Sequence, residues 1–236
     1  MQYLDTEKLN AIDSEAFLEV KPYPFINPAG VLTEAGYQRL IENLPPLEVM
    51  QPSFGRKRSH GQVSHDRYLL EYSEDLDTVA PAWHEFVAEL HGPEYTRFLQ
   101  RMYQRKRLRI NMHWHYAPRG CSVSPHCDAQ HKLGSHIFYL NTEDDWDPEW
   151  GGQTLILDDN GRFETNSAPA FEDFDRELAS ECVGNVSTLF ARRDRSWHGV
   201  RELTCPEGRL RKVFIVVVNH PLLYAGRQVL NRIKNK

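Results

Sequence analysis

The sequence predicts a mainly β protein with a helical N-terminal part, its strands folded into an antiparallel sandwich or barrel of the jelly-roll or cupin kind. Two observations predict it. Over roughly the first hundred residues the apolar positions recur at helical spacing between Pro and Gly stops. From Leu108 the texture changes to short β-branched and aromatic runs punctuated by Gly, Pro, Asp and Asn. Many short strands without helices between them bury their apolar faces by pairing two sheets or closing one. A chain of 236 residues suits one domain of this type, with a helical part over 1–105, a β core over 106–221 and a tail over 222–236.

The elements follow in order. After the Pro-rich lead-in KPYPFINP, Thr33 to Leu44 places Tyr37, Leu40, Ile41 and Leu44 on one helical face, with Thr33 as N-cap and Pro45-Pro46 as the stop. Asp75 to Leu90 and Glu94 to Met102 repeat that pattern on either side of HGP, and residues 50–68 read as a long polar loop. Seven strands are expected in RLRINMHWHY, SHIFYLN, GGQTLIL, RFET, NVSTLF, SWHGV and RKVFIVVVN. PAFEDFDRELASE (169–181) interrupts them as an acidic insertion, a lid or a surface loop. The tail from Leu222, apolar and then basic, predicts a short terminal helix.

Composition narrows the function classes. Hydrophobic content of 40% with 26% charged residues is ordinary for a globular protein. A net charge of −5 argues against general nucleic-acid affinity, and the locally basic RMYQRKRLR and GRKR read as a solvated helix end and an exposed loop. The longest apolar run, Val213 to Val218, is too short for a bilayer, and MQYLDTEKLN lacks the segments of a signal peptide, so a cytoplasmic protein without membrane partners is expected. Cys121, Cys127, Cys182 and Cys205 form no CxxC pair and read as free thiols.

The chemistry concentrates in SPHCDAQH. In an extended segment residues i and i+2 share a side, so His126 and Asp128 present an imidazole and a carboxylate to one ion while Cys127 points away. The third ligand must come from elsewhere, and His198 in the apolar strand SWHGV is the candidate. Two histidines and one carboxylate form the facial triad of non-haem iron(II) oxygenases, with three positions left open. Thirteen residues beyond His198, Arg211 heads the most apolar strand of the chain. A guanidinium there needs an anionic partner, and a dicarboxylate co-substrate would supply one by a bidentate contact. Arg209 shares the strand face, so alternation alone does not choose; Arg211 is preferred because it directly precedes the apolar run.

The order HCD, YLN (139–141), DWDPEWGG (145–152), SWH (196–198) and RK (211–212) resembles the 2-oxoglutarate- and iron(II)-dependent dioxygenase superfamily, in particular its prolyl 4-hydroxylase-like branch, over roughly residues 107–220. The resemblance implies a double-stranded β-helix with helices packed on one sheet. It implies His126, Asp128 and His198 as iron ligands, Arg211 on the distal carboxylate of 2-oxoglutarate, and Tyr139 and Tyr116 reaching the same co-substrate. Gly151-Gly152 would allow tight backbone at a strand start. The cofactors implied are Fe(II), 2-oxoglutarate and O2, with ascorbate as an accessory. The reaction implied is hydroxylation of an unactivated C–H bond in a small molecule, such as an amino acid or metabolite, or in a peptidyl residue such as proline, with release of succinate and CO2. Asp128 disfavours halogenation, because a halide could ligate iron only if that carboxylate position were vacated. The N-terminal half and loops such as 50–68 and 169–181 would choose the substrate.

Other polar features compete with this reading. His113 and His115 form an HxH with no carboxylate or cysteine nearby in the strand, so they are expected to line the substrate pocket or to pack rather than to bind a metal, and alternation, which groups Met112, Trp114 and Tyr116, would turn them away from the iron. His126, Cys127 and His131 could bind catalytic zinc in a cupin-like hydrolase. That set leaves Arg211 unexplained, and His136 is then placed on the opposite strand face or at the cavity rim. A non-catalytic binding module is the third alternative, and it would be expected to have lost a ligand. EDDWDPEW lacks the central Gly of an EF-hand and reads as a strand-connecting turn. Trp197 is either core or a wall of the substrate pocket.

Overall fold

The strand RKVFIVVVN organises the molecule. The computed structural model describes residues 1–234, with the side chains of Ser59 and of 228–234 left undescribed. In it, β11 (Arg211–Asn219) lies between β4 (Arg109–Ala117) and β6 (Lys132–Tyr139), antiparallel to both. Phe214, Val216 and Val218 go to one face, and Arg211, Val213, Ile215 and Val217 to the other, so a strand apolar on both sides is covered on both.

The large sheet has seven strands in the order β1 (Phe25–Ile26), β9 (Ser187–Ala191), β6, β11, β4, β3 (Arg67–Glu71), β2 (Gln51–Ser53). Against its inner face stands a four-stranded sheet, β5 (Val123–His126), β10 (Trp197–Val200), β7 (Leu155–Asp158), β8 (Arg176–Ala179). Ile137, Tyr139, Phe190 and Val213 of the large sheet meet Ile156 of the small one, which gives the two-layered jelly-roll core.

Helices cover the outer face of the large sheet. α4 (Pro81–His91) and α5 (Pro93–Tyr103) each start on a proline, which loses nothing at a first helical position. α4 buries Trp83, Phe86 and Leu90 from one face; Trp83 meets Trp114 and Phe214 at ring-centroid distances of 5.0 Å, and Phe86 meets Phe138 edge-on at 5.6 Å. α3 (Glu34–Glu42) is capped as expected, the Thr33 hydroxyl accepting from Gly36 N. Two six-residue helices, α1 (Thr6–Ala11) and α2 (Ser14–Glu19), went unread because so short a helix shows little periodicity; Asp5 and Asp13 cap them. The tail forms α6 (Pro221–Lys234), of whose expected span residues 235–236 lie outside the described residues. Among the described residues no helix is long and apolar enough to cross a membrane.

Three expectations are corrected. RFET is not a strand: Asn160 and Gly161 take positive φ, and the Asp159 carboxylate accepts from Gly161 N and Phe163 N, so those amides close a turn instead of a ladder. The β core has eight strands, β4 to β11, and two of them were not among the seven expected: β5, and β8 inside the expected insertion 169–181, in register Leu155↔Ala179 through Asp158↔Arg176. Residues 50–68 are not all loop either. β2 and the start of β3 extend the large sheet, Tyr68 pairing with Tyr116 and Leu70 with Trp114.

His136 lies on the helix-facing side of β6, fully buried, its Nδ1 at 2.9 Å from the Tyr95 hydroxyl and its Nε2 at 3.0 Å from Ser187 Oγ. Burial pushes its pKa down to about 3. The unfolded chain takes up this proton near the ordinary histidine value of about 6.5, so stability is complete above that pH and falls as pH drops toward 3. The slope is about 1.4 kcal/mol per unit, or ~2 kcal/mol between pH 6.5 and 5. Urea unfolding at pH 7 and pH 5 is expected to show this loss in the parent protein and a loss smaller by about that amount in His136→Gln; equal losses would refute it.

Candidate active site

β5 and β10 are adjacent antiparallel strands, and their register sets His126 directly opposite His198. The two rings lie 4.3 Å apart between centroids. In each, Nδ1 is 3.0 Å from the backbone oxygen two residues earlier, Ser124 O or Ser196 O. That contact requires an Nδ1–H, which leaves the Nε2 lone pair as the donor. β5 ends at His126, and the chain beyond it brings the Asp128 carboxylate to the same point. The three side chains offer ligand atoms all within 4.8 Å of one another, and they form the single such cluster found among the described residues.

The charge states suit a divalent cation. Burial, and then each other's proximity for His126, hold both imidazoles below their ordinary value and hence neutral. Burial alone would push the Asp128 carboxyl up, but the Lys132 ammonium, charged and hydrogen-bonded to it, opposes burial and holds the group below the usual carboxylate range. Lys132 Nζ donates to Asp128 Oδ1 at 2.6 Å, and Arg192 Nε to the Asp128 backbone oxygen at 3.0 Å. Two neutral imidazoles and one carboxylate on one side of an ion leave its other side open, which fits Fe(II).

The triad faces a cavity of about 670 Å³ between the sheets. Arg211 lines the same cavity. It is buried without an acidic partner among the described residues; Nε donates to Gly152 O at 2.6 Å, and the guanidinium lies 5.6 Å from the centre of the Tyr139 ring. Burial lowers its pKa, with Tyr139 and Cys182 opposing. Gly152 has φ +98°, and a Cβ there would sit 3.2 Å from Arg211 Cδ, so the approach needs glycine. The Tyr139 hydroxyl is held by Thr154 Oγ1 at 2.7 Å, Ser180 Oγ at 2.8 Å and Thr188 Oγ1 at 3.2 Å. Hydroxyls and a guanidinium together make a pocket for a carboxylate. Arg209 is exposed in the turn before β11 and does not line the cavity.

Tyr116 is a correction. It lies on the other face of β4, in the helical core with Met112 and Trp114, and its hydroxyl donates to Pro45 O at 3.1 Å. His113 and His115 line the cavity, stacked at 4.4 Å, which agrees with a pocket-lining role and corrects the expectation that they turn away from the triad. The helices claim Met112, Trp114 and Tyr116, and the alternate positions turn inward. Cys127 and Trp197 pack with Leu155 and Leu157 under Phe163 and Phe174, so Trp197 is core. His131 meets Arg227 and does not join His126 and Cys127 in a metal cluster.

The sequence reading missed His65, Arg67 and Thr154. The His65 ring lies 4.7 Å from that of His126, and its Nε2 is 3.1 Å from Ser124 Oγ. Both His65 and Arg67 belong to the stretch 50–68, where nothing local marks them as inward-facing.

Comparison with known proteins agrees with the geometry. Residues 112–217, which hold the triad and Arg211, match the family model of the 2OG-Fe(II) oxygenase superfamily. No curated protein matches the chain by sequence. Among solved structures, a Pseudomonas putida prolyl-4-hydroxylase is similar at TM-score 0.59 and 15% identity, over 88% of this chain and 98% of that one. A Trichoplax adhaerens prolyl hydroxylase, solved with a hypoxia inducible factor peptide fragment, is similar at TM-score 0.60 and 14% identity, over 91% and 90%. SnoK, a non-haem α-ketoglutarate-dependent carbocyclase from nogalamycin biosynthesis, is similar at TM-score 0.60 and 13% identity, over 89% and 85%. The triad and the buried arginine thus lie inside the stretch, a little under half of the chain, that matches the 2OG-Fe(II) oxygenase superfamily.

Proposed function

We propose that the chain hydroxylates an unactivated C–H bond of a small molecule or a peptidyl residue, consuming O2 and 2-oxoglutarate and releasing succinate and CO2. The observation that carries this reading is the convergence of His126, Asp128 and His198 on one cavity with a buried, acid-free Arg211. Bound there, Fe(II) would supply the activation of O2, one oxygen atom entering succinate and the other the C–H bond. The protein's own part is positional and electrostatic. His126 and His198 would offer neutral Nε2 donors because Ser124 O and Ser196 O hold their Nδ1–H groups. Lys132 keeps Asp128 ionised. Arg211 would pair with the distal carboxylate of 2-oxoglutarate, with Tyr139 and Thr154 beside it. Phe190, against the His198 ring at 4.6 Å, and Ile215 and Val217 give the cavity apolar surface for a C–H-bearing group. Ascorbate would serve as an added reductant.

The test is anaerobic addition of Fe(II) and then 2-oxoglutarate to the metal-free protein, read by visible absorption. A weak charge-transfer band is expected only when both are present. Tight zinc retention with no band would instead favour a hydrolase or a binding module on the same barrel.

A further inference from the structure

The cavity carries more positive charge than the co-substrate site uses. Of its basic side chains, Lys132 is paired with Asp128, Arg192 reaches Asp194 at 3.9 Å, and Arg211 is assigned above to 2-oxoglutarate. Arg58, Arg67 and Arg227 remain; Arg227 is exposed and lies against the His131 ring, and neither Arg58 nor Arg67 has an ion-pair partner within 4.0 Å among the described residues. The cavity's acids do not answer them: Asp128 belongs to the metal centre, and Glu71 is exposed at the far end of β3, opposite His113.

Arg67 is built to present a particular edge. Its Nη1 donates to His65 O at 2.6 Å. Its Nε is buried with no hydrogen-bond partner, and Nη2 makes no hydrogen bond among the described residues. Nε–H and Nη2–H point the same way and form the side-on fork of a guanidinium, whose spacing matches the two oxygens of a carboxylate; Nη2 is the arm open to the cavity, and a small turn of the side chain would bring the covered Nε to the second oxygen. An unsatisfied buried N–H on a cation is costly unless a ligand answers it. Arg67 lines the same cavity as the triad, and its Nη1 holds the backbone of His65, whose ring packs on the ligand His126. Burial first, and then Arg58 and Arg56, lower the basicity of Arg67, as expected for a cation awaiting a counter-charge.

2-Oxoglutarate does not meet this need. With one end at the metal and the other on Arg211, it has no carboxylate left for Arg67. We infer that Arg67, assisted by Arg58, is a second anion subsite that receives a carboxylate of the primary substrate, so the molecule oxidised is an acid. The inference rests on the oxygenase reading of the cavity. The carboxylate could belong to a free acid or to an acidic side chain of a peptide, and the test separates the two.

The experiment is anaerobic calorimetry on protein saturated with Fe(II) and 2-oxoglutarate. The probes are two matched pairs, cyclopentanecarboxylate against cyclopentanecarboxamide and acetyl-glutamate amide against acetyl-glutamine amide. Each pair differs by a carboxylate. In at least one pair the acid is expected to bind ten or more times tighter than the amide. Discrimination in the first pair assigns a free acid, and discrimination confined to the second assigns a peptidyl side chain. Arg67→Gln is expected to abolish the discrimination, and Arg67→Lys, which keeps the charge without the fork, to leave part of it; the lysine variant decides if the glutamine variant does not fold. The charge-transfer band and 2-oxoglutarate affinity stay unchanged in both. Equal binding of acid and amide, no binding of any probe, or a loss of 2-oxoglutarate affinity in Arg67→Lys overturns the subsite. Absence of the band in the parent protein is a separate failure, of the oxygenase reading; the same probe pairs on metal-free protein would still judge the subsite.

Discussion

Asp128→Asn is expected to fold and to lose Fe(II) binding by more than about 100-fold, because removal of an outer-sphere partner alone costs roughly 10- to 100-fold and this substitution removes a charged ligand. Asparagine is the informative choice. Its Oδ1 can still accept from Lys132 Nζ, which sits 2.6 Å from the carboxylate, whereas alanine would leave that ammonium without its buried partner. His198→Ala removes the opposite ligand and is expected to have the same effect, since His198 faces His126 across a single strand pair and no other described residue completes the cluster. Both variants are checked by iron stoichiometry after anaerobic loading, by the charge-transfer band and by succinate release, with circular dichroism as the control for folding. Substantial iron binding or turnover in either would refute the triad.

Arg211→Met is expected to raise the KM for 2-oxoglutarate by roughly 10- to 100-fold, the worth of a charge-assisted contact of about 1.5–3 kcal/mol. The stability of the unloaded variant separates this from general damage. In the parent protein the guanidinium is buried with only Gly152 O and the Tyr139 ring against it, so its replacement by an apolar side chain of similar length is expected to leave the Tm level or raise it. The rise in Tm that saturating 2-oxoglutarate produces in the parent protein is expected to shrink in the variant. A structural role alone would show the opposite, a fall in Tm with the KM unchanged.

Much of the candidate site was legible because its parts are local. His126 and Asp128 stand two apart on an extended segment, and Arg211 heads a run of β-branched residues where a charge has no apolar reason to be. The helices after residue 33 were legible from the Thr33 cap, the prolines and the apolar spacing, except that α4 starts at Pro81 and not at Asp75, because Pro81 fits the first helical position and disfavours helix before it. RFET was misread because β propensity competed with the turn chemistry of Asp159, Asn160 and Gly161, and the turn prevailed. β8 was missed because Arg176–Ala179 is a largely exposed edge strand, with no buried alternation to announce it.

The sequence by itself determined which residue types could bind a metal and a dicarboxylate, and which residues of each strand share a face. Only the tertiary structure decided which face looks inward. Alternation along β4 separates Met112, Trp114 and Tyr116 from His113 and His115, but it is silent on which set meets the helices and which meets the cavity. The choice was made by Trp83, Phe86 and their neighbours, which pack on Trp114 and leave the histidines to the cavity. His65 and Arg67 likewise line the cavity only because β3 pairs with β4, a contact set by long-range pairing that no local pattern encodes.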